Sequence, residues 1–178
     1  VCAERDVSLR KADFDGLVLK AHTLEGQVFD CGNRKNLVLP LLGDHQLHNA
    51  AVALTAATVM QQRGWHITDE QIREGLADVR WPGRFDVRRK DPLFIIDGGH
   101  NPQCIQALVK NIQDYLAGRP LTILTGVLAD KDYNCMYRNV EPYAKEFITV
   151  TPGNPRALNA HDLAQYLSQF GKPVTACD

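Results

Sequence analysis

Six consecutive residues, Asp97-Gly98-Gly99-His100-Asn101-Pro102, bring a carboxylate, two glycines and an imidazole into one short stretch. The apolar run Leu93-Phe94-Ile95-Ile96 before them reads as a buried strand. After them Ile105, Leu108, Val109, Ile112 and Leu116 recur on one helical face. The hexad is therefore a strand-to-helix crossing. In an open α/β sheet, ligands sit beyond the carboxyl ends of strands, and a helix N-terminus offers free N–H groups and partial positive charge to an anion. A phosphate-bearing ligand suits such a place. Asp-Gly-Gly is also an ordinary turn and Asn-Pro an ordinary start to a helix, so the hexad alone leaves both readings open.

Three further segments carry usable groups. In Gly43-Asp44-His45-Gln46-Leu47-His48-Asn49-Ala50 the amides and imidazoles can meet a nucleobase edge, or Asp44 can simply cap a helix. Trp81-Pro82-Gly83-Arg84-Phe85-Asp86 sets an arginine in a tight turn, suited to phosphate oxygens or to a salt bridge with Asp86. Asp130, Lys131 and Asp132 follow the next apolar strand, Leu121-Thr122-Ile123-Leu124. They are placed to bind an amino acid or orient a nucleotide, or to start a charged helix. The Pro-rich loop Thr151-Pro152-Gly153-Asn154-Pro155-Arg156-Ala157-Leu158 follows a third strand, so three loops are expected on one sheet edge. No P-loop, dinucleotide fingerprint or nucleophile elbow occurs in the 178 residues. Cys104 reads as a half-buried structural thiol, although a helix start would lower its pKa.

The elements that must hold these loops follow from hydrophobic period. Leu17-Val18-Leu19, Gln27-Val28-Phe29 and Leu37-Val38-Leu39, separated by glycine turns, predict an antiparallel meander. An Ala-rich helix is expected over about residues 46–62, ended by Gly64. A second begins at Thr68, where Thr68 and Gln71 form a capping box. The charged stretch Arg88-Arg89-Lys90-Asp91-Pro92 has no apolar period and is the expected linker, giving domains 1–90 and 91–178. Beyond it strands at 93–96, 121–124 and 147–150 alternate with helices near 103–117, 133–143 and 160–170. That order predicts a parallel sheet covered on both sides. The fold class is α/β, with a Rossmann-like, mostly parallel sheet following strands and helices of another domain. Val174-Thr175-Ala176-Cys177-Asp178 reads as the opening of a strand, and the chain as a piece of something larger.

Composition excludes several classes. Twenty basic against 21 acidic residues give a net charge of -1, so no field is evident that would recruit nucleic acid or an anionic membrane without specific contacts. There is no bilayer-length apolar run and no secretory signal at the start, and a cytoplasmic place is expected. Five scattered cysteines without a C-x-x-C pair favour free thiols over disulfides or zinc.

Taken in order, Gly43-Asp44-His45-Gln46-Leu47-His48-Asn49-Ala50, Trp81-Pro82-Gly83-Arg84-Phe85, Asp97-Gly98-Gly99-His100-Asn101-Pro102 and Asp130-Lys131-Asp132 resemble folylpolyglutamate synthases, including their bifunctional dihydrofolate synthase form, within the Mur ligase superfamily. Pro155-Arg156-Ala157-Leu158 is a fifth match, and Gly99 stands where the family more usually has alanine. The resemblance implies that residues 1–90 are the tail of a central ATPase domain and 91–178 most of the C-terminal ligase domain. It implies an ATP-dependent ligase: ATP phosphorylates a folate or dihydropteroate carboxylate, and L-glutamate attacks the acyl phosphate, with domain closure excluding water. By the same resemblance Asn49 would contact adenine, Arg84 the phosphates or ribose, and Asp97 the ribose hydroxyls. His100, the catalytic candidate, would lie by the transferred phosphate and the incoming glutamate, with Asp130 and Lys131 as further substrate contacts. The family's phosphate loop and magnesium ligands are expected upstream of Val1, with no metal site in these residues, so this chain alone is expected to be inactive and its parent monomeric. The alternatives are a non-catalytic nucleotide-binding module, a Mur-type ligase of peptidoglycan precursors, and a hydrolase using Asp97, His100 and Asp130 around a metal, which their spacing does not favour.

Overall fold

Short apolar runs between glycine turns produce the meander: β1 (Leu17–Thr23), β2 (Gly26–Cys31) and β3 (Arg34–Leu39) pair antiparallel in that order. The computed structural model describes residues 2–177. One face of the sheet carries Phe29, Cys31, Leu37 and Leu39. These pack on Leu47, Ala50, Ala51 and Leu54 of α1 (Asp44–Gln62) and Ile72 of α2 (Asp69–Asp78). The alanines let the helix approach the sheet closely, and each fully buried Phe or Leu contributes about 1.5–3 kcal/mol. Helix α1 starts one residue after its N-cap Gly43, so Asp44 is the first helical residue rather than the cap. Its end matches expectation, with Gly64 just past the C-cap Arg63 and at φ +89°. The capping box of α2 is complete: Thr68 Oγ1 accepts from Gln71 N at 3.1 Å and Gln71 Oε1 from Thr68 N at 2.9 Å.

The stretch expected to be a linker is instead half of a hairpin. Strand β4 (Asp86–Lys90) pairs antiparallel with β5 (Leu93–Ile96) across the Asp91-Pro92 turn. The run 93–96, expected as the first parallel strand, thus bonds to its sequence neighbour, because a tight turn closes that pairing at little entropic cost. Phe94 and Ile96 are exposed on it. Residues up to Ile96 form one compact unit, and those from Asp97 onward form another.

In the second unit β6 (Leu121–Thr125), β7 (Ala144–Val150) and β8 (Val174–Cys177) form a parallel sheet in that order. They alternate with α3 (Pro102–Tyr115), α4 (Tyr133–Val140) and α5 (Ala160–Leu167). Helices α4 and α5 pack on one face. Tyr137 of α4 meets Thr125 at 2.8 Å, oxygen to oxygen, and Thr149 Oγ1 donates to Ala160 O at 2.8 Å. Burial pushes the Tyr137 phenol up to about 12. On the opposite face Thr122 and Leu124 are exposed, so among the described residues the sheet is not covered on both sides as its alternating pattern implied. No helix among the described residues is long and apolar enough to cross a membrane. The five cysteines are free thiols, and Cys104 is half-buried as expected.

Candidate nucleotide and substrate site

The first group of candidate residues stands on α1. Gly43 adopts φ +103° and ψ 152°, a conformation essentially confined to glycine, and no side chain caps the helix it begins. Gln27 fastens this start from β2: its Nε2 donates to Leu41 O at 2.7 Å and to Gly43 O at 3.2 Å. His48 Nδ1–H donates to Asp44 O at 2.9 Å; a carbonyl only accepts, so the ring's lone pair lies at Nε2. Asn49 is exposed, and its Nδ2 donates to Oε1 of the buried Gln46 at 3.0 Å.

Arg84 sits in a strained turn. Gly83 has φ +76°, and Phe85, only 3% exposed, has φ +45°. A bulky residue held there costs about 1–3 kcal/mol and persists only where its surroundings fix it. The salt bridge to Asp86 is not formed. Asp86 Oδ2 accepts from Gly83 N at 3.2 Å and pairs with Arg88 at 3.4 Å. Arg84 is half-buried on this turn.

The hexad folds on itself. Asp97 Oδ1 accepts from Gly99 N at 2.7 Å, and Asn101 Oδ1 caps α3 by accepting from Cys104 N at 2.9 Å, with Pro102 in the first helical turn. His100 is exposed, and its Nδ1–H donates to Gly98 O at 3.0 Å, which in the neutral ring leaves the lone pair on Nε2. In that state the ring can take a proton or accept a hydrogen bond at Nε2.

The loops after β6 and β7 are joined to each other. Leu128 bridges Ala157, Ala129 N donates to Arg156 O at 2.8 Å, and Leu158 N to Val127 O at 2.9 Å. Gly126 allows the approach: a Cβ there would lie 2.6 Å from Val150 O. Asp130 pairs with Arg156 at 2.8 Å, Lys131 is half-buried, and Asp132 caps α4 by accepting from Cys135 N at 3.1 Å. Two of the three loops expected together are thus zipped by backbone hydrogen bonds. The Asp97 loop follows β5, which lies outside that sheet. Among the described residues no group of three or more His, Cys, Asp or Glu side chains is placed to hold a metal ion.

Residues 83–178 match the family described as Mur ligase, glutamate ligase domain. The chain belongs to the Mur ligase family. This Mur ligase chain is 38% identical over 157 residues to the folylpolyglutamate synthase of Lacticaseibacillus casei, covering 87% of the chain and 36% of that protein. Its fold follows the Mycobacterium tuberculosis folylpolyglutamate synthase complexed with ADP at a TM-score of 0.83 and 29% identity, over 99% of this chain and 41% of that one. The Thermotoga maritima folylpolyglutamate synthase gives a TM-score of 0.84 at 29% identity, over 99% and 42%. The chain spans about two fifths of the length of these relatives.

Sequence reasoning did not single out Gln27. A buried glutamine in a strand that otherwise alternates is visible only as a polar letter on an apolar row.

Proposed function

We propose that this chain is part of an ATP-dependent ligase that joins L-glutamate to a folate or dihydropteroate carboxylate. The observation that carries the reading is the likeness, over 99% of the chain, to a folylpolyglutamate synthase complexed with ADP. Four side-chain chemistries of the chain fit such a nucleotide: an amide at Asn49, a guanidinium at Arg84, a carboxylate at Asp97 and an imidazole at His100. In the reaction the substrate carboxylate oxygen attacks the γ-phosphorus of ATP and ADP leaves. The glutamate nitrogen then attacks the acyl carbon and inorganic phosphate leaves. A carboxylate is a poor electrophile, so the phosphoryl group supplies the leaving group that the amide bond requires.

In this reading Asn49 meets the adenine edge, Arg84 the phosphates or ribose, and Asp97 the ribose hydroxyls. His100 lies by the transferred phosphate and the incoming glutamate, where a neutral ring can accept at Nε2 the proton that the attacking amine sheds. Asp130 and Lys131 are assigned to the amino-acid substrate, Asp130 after release from Arg156. Magnesium accompanies ATP in such chemistry, and among the described residues no group of three or more His, Cys, Asp or Glu side chains gathers to hold it. The phosphate loop is likewise absent from these 178 residues, and the isolated chain is assigned no turnover.

The test is made on the full polypeptide that carries this chain, with ATP, glutamate and a reduced folate or dihydropteroate. The expected result is one ADP per glutamyl bond, with KM for ATP raised about tenfold in Asp97→Ala, the loss of about one charge-assisted hydrogen bond, at an unchanged melt. ADP formation without a glutamyl product, or glutamylation only of cell-wall precursors, would overturn the reading.

A further inference from the structure

The geometry points to a relay of two buried amides, Gln27 and Gln46, that fixes which way the Asn49 amide faces and so sets the base preference of the nucleotide site. The inference rests on the reading of Asn49 as the adenine contact and goes beyond it, assigning positioning and specificity to residues that touch no nucleotide.

Gln27 lies on the core-facing row of β2 with Phe29 and Cys31, and it is 1% exposed. An apolar side chain would be the ordinary occupant of that row. Placing a carboxamide there costs free energy unless its groups are bonded. Both acceptors of Gln27 Nε2, Leu41 O and Gly43 O, belong to the loop that delivers α1, while Gln27 Oε1 is buried without a partner. The amide thus accepts a desolvation cost on one atom in order to hold that loop with the other.

Gly43 is the junction. Its carbonyl receives Gln27 from the sheet and the backbone N–H of Gln46, at 3.0 Å, from the helix. Gln46 is 4% exposed, and its Oε1 takes one hydrogen of Asn49 Nδ2. While Gln46 Oε1 holds that hydrogen, the Asn49 amide cannot exchange its nitrogen and oxygen by rotation. Asn49 therefore presents one N–H and its carbonyl in a set order. Adenine offers an acceptor and an amino donor side by side on one edge, which this order matches; guanine offers two acceptors there, one of which would face the Asn49 carbonyl. The interior of the first unit, through Gln27 and Gln46, holds the discriminating group.

The test measures ATP and GTP binding by calorimetry, together with steady-state kinetics, on the full polypeptide and its Gln46→Met, Gln27→Met and Asn49→Ala variants. Loss of one such bond predicts a fall in ATP affinity of about 3- to 10-fold in Gln46→Met. The ATP-over-GTP preference narrows as the freed Asn49 turns to suit guanine, while kcat at saturating ATP stays within about twofold. Gln27→Met shifts both quantities in the same direction and lowers the melt; should it fail to fold, Gln46→Met decides alone. Unchanged ATP affinity and preference in Gln46→Met, alongside weakened ATP binding in Asn49→Ala, would refute the relay and leave the Asn49 reading standing. If Asn49→Ala also binds ATP normally, both fall. A drop in kcat at unchanged nucleotide affinity would likewise overturn the relay.

Discussion

Helix α1 begins on Gly43 with no side-chain cap and is tied to the sheet by Gln27, whereas α3 begins on Asn101, whose own carboxamide caps Cys104 N behind the Asp97–Gly99 turn. Both starts lie beside residues assigned to the nucleotide. The first is shaped from the core outward by a residue sixteen positions earlier in the chain, and the second by side chains no more than three positions away. A loop of the first kind moves only with its sheet. The second can be altered by one local substitution, so the same task of presenting polar groups at a helix start is met with different robustness.

The contrast extends to the two units, and spectroscopy separates them: both tryptophans, Trp65 and Trp81, lie before Asp97, and all five tyrosines lie after it. The largest effect is expected in the second unit at alkaline pH. An unfolded Tyr137 gives up its proton near 10, but the folded one holds it to about 12. The stability this contributes is whole below 10 and is lost as pH rises to 12, about 2–3 kcal/mol in all. Denaturant melts followed by tyrosine absorbance should show the loss, and Tyr137→Phe should flatten it. An equal slope in that variant would assign the loss to other groups.

Next in size, Gly43→Ala forces a Cβ into a conformation essentially confined to glycine and should cost the first unit about 1–3 kcal/mol. Urea melts followed by tryptophan fluorescence would measure it, and an unchanged midpoint would mean that the start of α1 is not rigidly held. Smallest is Asn101→Ala, a lost N-cap worth about 1 kcal/mol in the second unit. A cost in that variant matching or exceeding that of Gly43→Ala would erase the contrast between the two starts.

Legibility in the sequence follows the same division. The capping box at Thr68 and Gln71, the helix starts at Asn101-Pro102 and after Asp130-Lys131-Asp132, the meander and the alternating strands and helices of the second unit all rest on neighbours in sequence, and all could be read there. What could not be read depends on partners chosen in space. The apolar run 93–96 looks like a central parallel strand, yet the Asp91-Pro92 turn gives it to β4. The sheet's exposed Leu124 face could not be inferred from alternation, because period alone does not say on which side the helices fall. At the site, residue types suggested base, phosphate and amino-acid contacts. The particular assignments to Asn49, Arg84, Asp97 and His100 came from resemblance to a family, since spacing alone left turn and cap readings equally open. Gln27 was missed because its function lies in two carbonyls of a loop far along the chain.

The register of the meander has a consequence for the order of events in folding. Thr23 pairs with Gly26, and Cys31 with Arg34, so each strand finds its partner across a tight turn. In the second unit Leu124 must find Ile148, and Ile148 must find Thr175, each across an intervening helix. Closing the longer loops costs more entropy before any strand contact repays it, and pairing of this kind is intrinsically slow. The meander's pairings therefore close early, while those of the parallel sheet are the slower to form.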